Sequence, residues 1–203
     1  MAEIIQLHPQ SPQVRQVDKI TAALQRGAVM LYPTDTVYAI GCDLNHRHAV
    51  QRVRQIKANS PKPLTFLCSS LSDIAKYALV DDPAYRLMRS LVPGPYTFIL
   101  PATKLVPKLV TDPKRRTTGI RVPNAAIAQA LLTNLGNPII STSAHSQTLT
   151  QELTQVELFD QLESQVDLIV DHGLEPTYQV STIIDLTGDQ PQLLRQGLGE
   201  FRC

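Results

Sequence analysis

Tyr32-Pro33-Thr34-Asp35-Thr36-Val37-Tyr38-Ala39-Ile40-Gly41-Cys42 joins two apolar runs through a hydroxyl-rich turn. The first run, Ala28 to Tyr32, stops at Pro33, and apolar residues resume at Val37. Proline fixes φ and lacks an N–H, while short hydroxyl and carboxylate side chains bond local amides. The stretch therefore reads as a strand, a sharp turn and a second element. Such a turn presents two hydroxyls and backbone N–H groups at a sheet edge, where small-molecule sites commonly lie. Taken alone, these residues are read more simply as a plain turn.

On the N-terminal side, Val14, Val17, Ile20 and Leu24 mark one face of a helix ending at Gly27. On the C-terminal side, Asn45 is placed to cap a helix with Ala49, Val50, Val53 and Ile56 on its apolar face. Leu64 to Cys68 reads as a strand, and Asp82 with Pro83 as the cap and first turn of a helix toward Leu91. Pro93-Gly94-Pro95 breaks that helix, and strands follow at Tyr96–Leu100 and Gly119–Val122. Asn124 is placed to cap a helix running to Leu135, with Gly136 as its stop and Ile139-Ile140 leading into Ser141-Thr142-Ser143. Helical spacing returns at Val156, Phe159 and Leu162. Leu168–Val170, Ser181–Leu186 and Gln192–Arg195 read as short strands. Strands and helices alternate irregularly, so the expected fold class is α/β (α+β), a mixed sheet in a single domain over 1–203.

The chain has 203 residues, 43% hydrophobic and 18% charged, a composition that excludes a disordered chain. No apolar run reaches the length of a membrane span, and the first residues lack a signal-peptide pattern. Cys42, Cys68 and Cys203 are widely spaced and show no zinc-ligand pattern, so a reducing cytoplasm is the expected location. A net charge of +1 hides a segregation. Leu44 to Ser72 holds Arg47, Arg52, Arg54, Lys57 and Lys62 with no acid, and Pro101 to Arg121 holds six cations against Asp112 alone. Val122 to Leu194 contains no Lys or Arg. One positive and one negative region suit an anionic ligand such as ATP or RNA, although solvated helix faces explain Arg47, Arg52 and Arg54 better.

No P-loop, dinucleotide fingerprint, metalloprotease or EF-hand pattern is present. The candidates for chemistry are hydroxyl-rich strand ends and isolated cations. They include Thr34 and Thr36, Lys57, Thr117 and Thr118 with Arg121, Ser141 to Ser143, Ser181 and Thr182, and Arg195.

Six motifs occur in order: Tyr32-Pro33-Thr34-Asp35-Thr36-Val37-Tyr38, Gly94-Pro95-Tyr96-Thr97, Gly119-Ile120-Arg121-Val122-Pro123, Ser141-Thr142-Ser143-Ala144, Ser181-Thr182-Ile183-Ile184-Asp185 and Leu194-Arg195-Gln196-Gly197. Together they resemble the YrdC-like family, whose best-known members are threonylcarbamoyl-AMP synthases of tRNA modification. Ala39, where synthases usually carry Gly, places the chain nearest the YciO-type subgroup. The resemblance implies a twisted mixed sheet with surrounding helices and a large, open, positively charged cavity. It also implies L-threonine, bicarbonate and ATP as substrates, with Mg²⁺ assisting. Carried over by motif, Thr36, Arg121, Ser141 and Ser181 would hold threonine, with Arg121 on its carboxylate. Thr117, Ser143 and Arg195 would line the nucleotide side, and Lys57 would act near the phosphates as a mobile catalytic charge.

Two departures fall on the phosphate side. The Lys-x-Arg motif of synthases reads Lys57-Ala58-Asn59 here, and their Ser-x-Asn motif reads Ser143-Ala144-His145. Asn59 has neither charge nor a fork of donors, while His145 can still bond a phosphate or ribose. Losing one charge-assisted contact costs on the order of a few kcal/mol. Lys62 is a candidate to replace the missing charge.

Three readings stay open at the level of sequence. One is a threonylcarbamoyl-AMP synthase, of reduced efficiency if the lost contacts matter. Another is a protein of the same fold binding tRNA or double-stranded RNA through its backbone. The third is a hydrolase of a related adenylate. The bland alternatives are a structural ion pair for Arg121, a helix-end cation for Lys57, a solvated run for Lys114-Arg115-Arg116, and core packing for Cys42 and Cys68.

Overall fold

The computed structural model describes residues 1–57, 64–112, 114–144, 153–175 and 178–201. Its elements are β1 (Glu3–Gln6), α1 (Val14–Gln25), β2 (Val29–Tyr32), β3 (Ala39–Asp43), α2 (Arg47–Ile56), β4 (Thr65–Leu67), α3 (Leu71–Tyr77) and α4 (Asp82–Leu91). There follow β5 (Tyr96–Pro101), β6 (Thr117–Arg121), α5 (Ala126–Leu135), β7 (Ile139–Ser143), α6 (Gln155–Leu162), β8 (Leu168–Asp171), β9 (Thr182–Asp185) and β10 (Gln192–Arg195). The described strands form one mixed sheet in the order β1-β8-β2-β3-β7-β4-β6-β5-β9-β10.

Alternate residues of a strand face opposite sides, and the register keeps the two sides distinct. Leu31, Ile40, Ile140, Phe66, Ile120, Phe98 and Ile184 lie on seven neighbouring strands and share one face. That face packs into one core with Val50 and Val53 of α2, Ile74 of α3, Met88 of α4 and Leu158 of α6. On the opposite face, Met30, Tyr32, Ala39, Leu67, Ile139 and Val170 pack with Ile20 and Leu24 of α1 and with Leu131 and Leu132 of α5. The first face is covered by four helices and the second by two. Part of the second face, over β4, β6, β5 and β9, is therefore left for a cavity.

The opening stretch folds as a β2–β3 hairpin, with Tyr32 paired to Ala39 and Val29 to Cys42. Every residue of both strands is buried, which accounts for their continuous apolar character. α1 ends before Gly27, whose φ of +94° is a left-handed stop.

Several boundaries differ from the sequence expectation. Asn45 does not cap α2: its N–H donates to the Asp43 carboxylate and its side chain to Asn137, and the helix begins two residues later. Asn124 does not cap α5 either, because extended Ala125 precedes the helix. The cap of α4 is Asp81 rather than Asp82, its carboxylate accepting from the Ala84 N–H at 2.8 Å. Val156 of α6 is exposed, and Leu158 and Leu162 carry its buried face. β1 and α3 were not anticipated. β1 has four residues with only Ile5 buried, and α3 is a seven-residue helix started by Ser70. Elements this short carry almost no period to detect.

Candidate functional site

The open part of the second sheet face is the floor of a cavity of about 700 Å³. Strand register sets out the floor in rows. Ser141, Thr65, Gly119, Ile99 and Asp185 are successive partners across five strands. One step toward one end lie Thr117 and Ser143; one step toward the other lie Leu67, Arg121, Thr97 and Ile183. Thr36, Lys57, Thr117, Arg121, Ser141, Ser143, Ser181 and Arg195 all line this cavity. Residues from six separated stretches thus meet on one wall. Asn59, Lys62 and His145 lie outside the described residues.

Arg121 stands at the last position of β6, almost wholly buried. Its Nη2 pairs with Asp35 Oδ1 at 2.6 Å, and its Nη1 donates to Thr36 Oγ1 at 2.8 Å. Burial pulls the guanidinium below its ordinary pKa, and the Asp35 charge pushes back. The anion facing Arg121 is thus a residue of the opening turn. Asp35 was expected to bond local amides; instead it reaches β6, while Thr34 makes the local bonds. Thr34 Oγ1 donates to the Val37 carbonyl and accepts the Thr36 N–H. Arg121 Nε and Asp35 Oδ2 are buried without a partner among the described residues, and Arg121 also lines the cavity.

Ser141 Oγ lies 2.8 Å from the Tyr32 hydroxyl, and Ser181 Oγ lies 2.9 Å from Thr97 Oγ1. Burial raises the Tyr32 pKa well above its normal value, so the phenol stays protonated. Arg195 donates through Nε and Nη2 to the Ser181 carbonyl, and Nη2 also reaches Ser181 Oγ at 3.2 Å. Partial burial and the nearby Arg121 charge both lower the Arg195 pKa. Among the described residues no carboxylate pairs with Arg195, so this end of the cavity carries positive charge. Gly197 explains the close approach of the chain: a Cβ there would sit 2.2 Å from the Val180 carbonyl oxygen. Thr182, a candidate from sequence, belongs to the supporting structure. It is buried, donates to the Gly199 carbonyl and accepts the Gly197 N–H.

Lys57 directly follows α2, and its Nζ donates to the Ser143 carbonyl at 2.9 Å. It is therefore held to the end of β7 rather than being a solvated helix-end cation. Arg115 departs from the solvated-run reading as well. It lines the cavity and pairs with Asp185 at 2.7 Å. Arg52 pairs with Asp167 outside the cavity. Cys42 and Cys68 are buried, and burial pushes both thiols up to about 12, as expected of inert core residues.

Sequence reasoning missed Tyr32, Thr65 and Thr97 as parts of the site. Thr97 had a usable signal, because it closes the Gly94–Thr97 motif and alternates with core-facing Phe98. Tyr32 reads as a core residue until its hydroxyl is seen to have a partner. Among the described residues no cluster of three His, Cys, Asp or Glu forms a metal cage. No described helix is long and apolar enough to cross a membrane.

Comparison with known proteins agrees with this fold. The Sua5/YciO/YrdC family model, described as telomere recombination, matches residues 22–197. YciO of Escherichia coli K12 is 40% identical over 206 residues, covering all of this chain and 98% of YciO. The crystal structure of E. coli YciO superposes with a TM-score of 0.92 over 98% of each chain. The threonylcarbamoyl-AMP synthase of Vibrio vulnificus YJ016 is 34% identical over 188 residues, covering 91% of this chain and all of the synthase. P. abyssi Sua5, solved in complex with L-threonine, superposes with a TM-score of 0.85 at 26% identity, covering 96% of this chain and 57% of Sua5. With one family model and relatives of full length in agreement, the chain belongs to the Sua5/YciO/YrdC family.

Proposed function

We propose that this protein makes threonylcarbamoyl-AMP from L-threonine, bicarbonate and ATP, releasing pyrophosphate, and so supplies an activated carbamoyl group for tRNA modification. The observation that carries the reading is the convergence of Thr36, Arg121, Ser141 and Ser181 on one cavity that also contains Arg195 and Lys57. Two hydroxyl-bearing strand ends and a buried guanidinium suit a small hydroxy amino acid. The similarity to a synthase and to a threonine-bound Sua5 supports that choice.

In this reading the threonine carboxylate meets Arg121 from the cavity, while Asp35 grips the same guanidinium from outside the cavity wall. Ser141 and Ser181 are held by Tyr32 and Thr97 and take the remaining polar groups. Bicarbonate takes up a proton and releases water to give CO₂; the neutral amine forms an N–C bond to its carbon and loses a proton, giving a carbamate. A carbamate oxygen then forms a bond to the α-phosphorus of ATP as the bond to the β-phosphate oxygen breaks and pyrophosphate leaves. No protein nucleophile takes part, so the chain contributes positioning and charge. Asp112 is a carboxylate on the wall, but its Oδ1 already accepts two backbone N–H groups. Mg²⁺ would therefore be carried by the triphosphate oxygens, where it neutralises charge.

The test is pyrophosphate release by purified protein with Mg²⁺, omitting L-threonine, bicarbonate or ATP in turn, with the adenylate identified by mass. Release that needs all three is the expected result. If the natural chain releases none while Asn59→Arg does, the synthase reading of the natural chain fails. Consumption of supplied threonylcarbamoyl-AMP without synthesis would instead identify a hydrolase.

A further inference from the structure

Arg115 is a cavity cation to which the motifs assign no role. It sits in a turn between Asp112 and Thr117 that is fixed at several points. The Asp112 carboxylate accepts the N–H groups of Lys114 and Arg115, each at 2.8 Å. The Asp112 N–H donates to the Thr117 carbonyl, and the Arg116 N–H to the Asp112 carbonyl, both at 2.9 Å. Arg116 takes a φ of +55°, which turns the chain back into β6. The side chain of Arg115 then crosses to β9, where Nη2 pairs with Asp185 Oδ2 at 2.7 Å and donates to Thr187 Oγ1 at 3.1 Å.

The two partners differ in exposure. The Asp185 side chain is 7% exposed, while that of Arg115 is 52% exposed. Among the described residues all the side-chain bonds of Arg115 run through Nη2, so Nε and Nη1 can serve a ligand. Asp185 lies in the same floor row as Gly119 and Ser141, next to the end marked by Thr117 and Ser143. Lys57 is tied to Ser143 at that same end, on the far side of the floor. From Thr117 to Arg121 is a run of four steps along β6, about 13 Å. Arg115 and Lys57 are thus anchored on opposite sides of the floor, toward the end of the cavity remote from Arg121. The separation suits an anionic chain bound away from an amino acid.

We propose that Arg115, oriented by Asp185, contacts the phosphate chain of the nucleotide and supplies there a guanidinium contact of the kind missing at Asn59. The proposal rests on the nucleotide-binding reading given above. Asp185 is a positioning residue: buried and anionic, it holds one terminal nitrogen and leaves the rest of the fork directed by the turn.

The experiment is calorimetric titration of ATP, inorganic tripolyphosphate and L-threonine into wild type, Arg115→Gln, Arg115→Lys and Asp185→Asn, with thermal melts of each. The expected result for Arg115→Gln is a loss of ATP and tripolyphosphate affinity of about ten- to a hundredfold with L-threonine affinity unchanged, the effect of removing one charge-assisted contact. Arg115→Lys, which keeps the charge facing Asp185, should recover part of the loss and should melt near the wild type. Asp185→Asn should weaken both phosphate ligands less than Arg115→Gln does. Unchanged tripolyphosphate affinity in Arg115→Gln overturns the proposal, as does a wild type that binds no polyphosphate. A wild type that binds tripolyphosphate through Arg115 but forms no adenylate leaves this proposal standing and removes the synthase reading. Equal synthesis and equal ATP affinity in wild type and Arg115→Gln does the reverse.

Discussion

Asp35 and Arg121 expose only 11% and 8% of their side chains, so their pair is formed out of water. A buried pair of this kind gives little net stability against an apolar replacement, but removing one partner strands the other charge. Asp35→Ala should therefore lower unfolding free energy by about 3–5 kcal/mol in a urea titration, and the double variant Asp35→Ala/Arg121→Met should recover most of it. A loss within about 1 kcal/mol would mean that the pair is solvated. A second residue sets a pH response. His172 Nδ1 lies 3.0 Å from the Tyr38 hydroxyl and accepts the Leu174 N–H. Burial lowers the pKa of His172, with Asp171 opposing. The unfolded chain therefore takes up this proton first, so the contribution is complete above about pH 6.5 and is lost as pH falls through the depressed folded value. The melting temperature should drop between pH 7.5 and 5.5, and His172→Gln should flatten that part of the profile. An identical slope in the variant would show that other groups dominate.

At the scale of elements, the β9–β10 hairpin owes its site to a glycine. Gly197 lies against the backbone of Val180 and Ser181, and its N–H bonds Thr182 Oγ1. Rigid backbone, unlike the end of a long side chain, cannot move aside for a methyl group. Gly197→Ala should push Ser181 away from Thr97 and Arg195. L-threonine affinity should fall at least tenfold in calorimetry, the effect of about 1.4 kcal/mol, while circular dichroism stays close to that of the wild type. Unchanged binding would show that the hairpin shifts without carrying Ser181 along. The helices show how local rules work and where they fail. Thr154 and Glu157 form a full capping box at the start of α6, and Asp81 caps α4 with Pro83 in its first turn. Asn45 and Asn124 are good caps in isolation, but tertiary partners claim Asn45 and extended Ala125 intervenes after Asn124.

At the scale of the molecule, one sheet separates two cores, and the uneven covering of its faces makes the cavity. Much of this was legible in the chain. The buried hairpin, the alternation of strands and helices, and the ordered motifs were local or nearly local patterns. They point to the fold and to eight residues that line one cavity. Less legible were the partners. Asp35 stood in the opening stretch with nothing in the sequence to say that it meets Arg121, 86 positions away. Arg115 looked like one cation in a solvated run until the turn from Asp112 to Thr117 carried it to Asp185. By itself the sequence determined the elements long enough to carry a pattern and the kinds of side chain available, because period, proline, glycine and hydroxyl content act within a few residues. Only the tertiary structure decided which charges face one another, because register across the sheet brings together residues that no local rule relates.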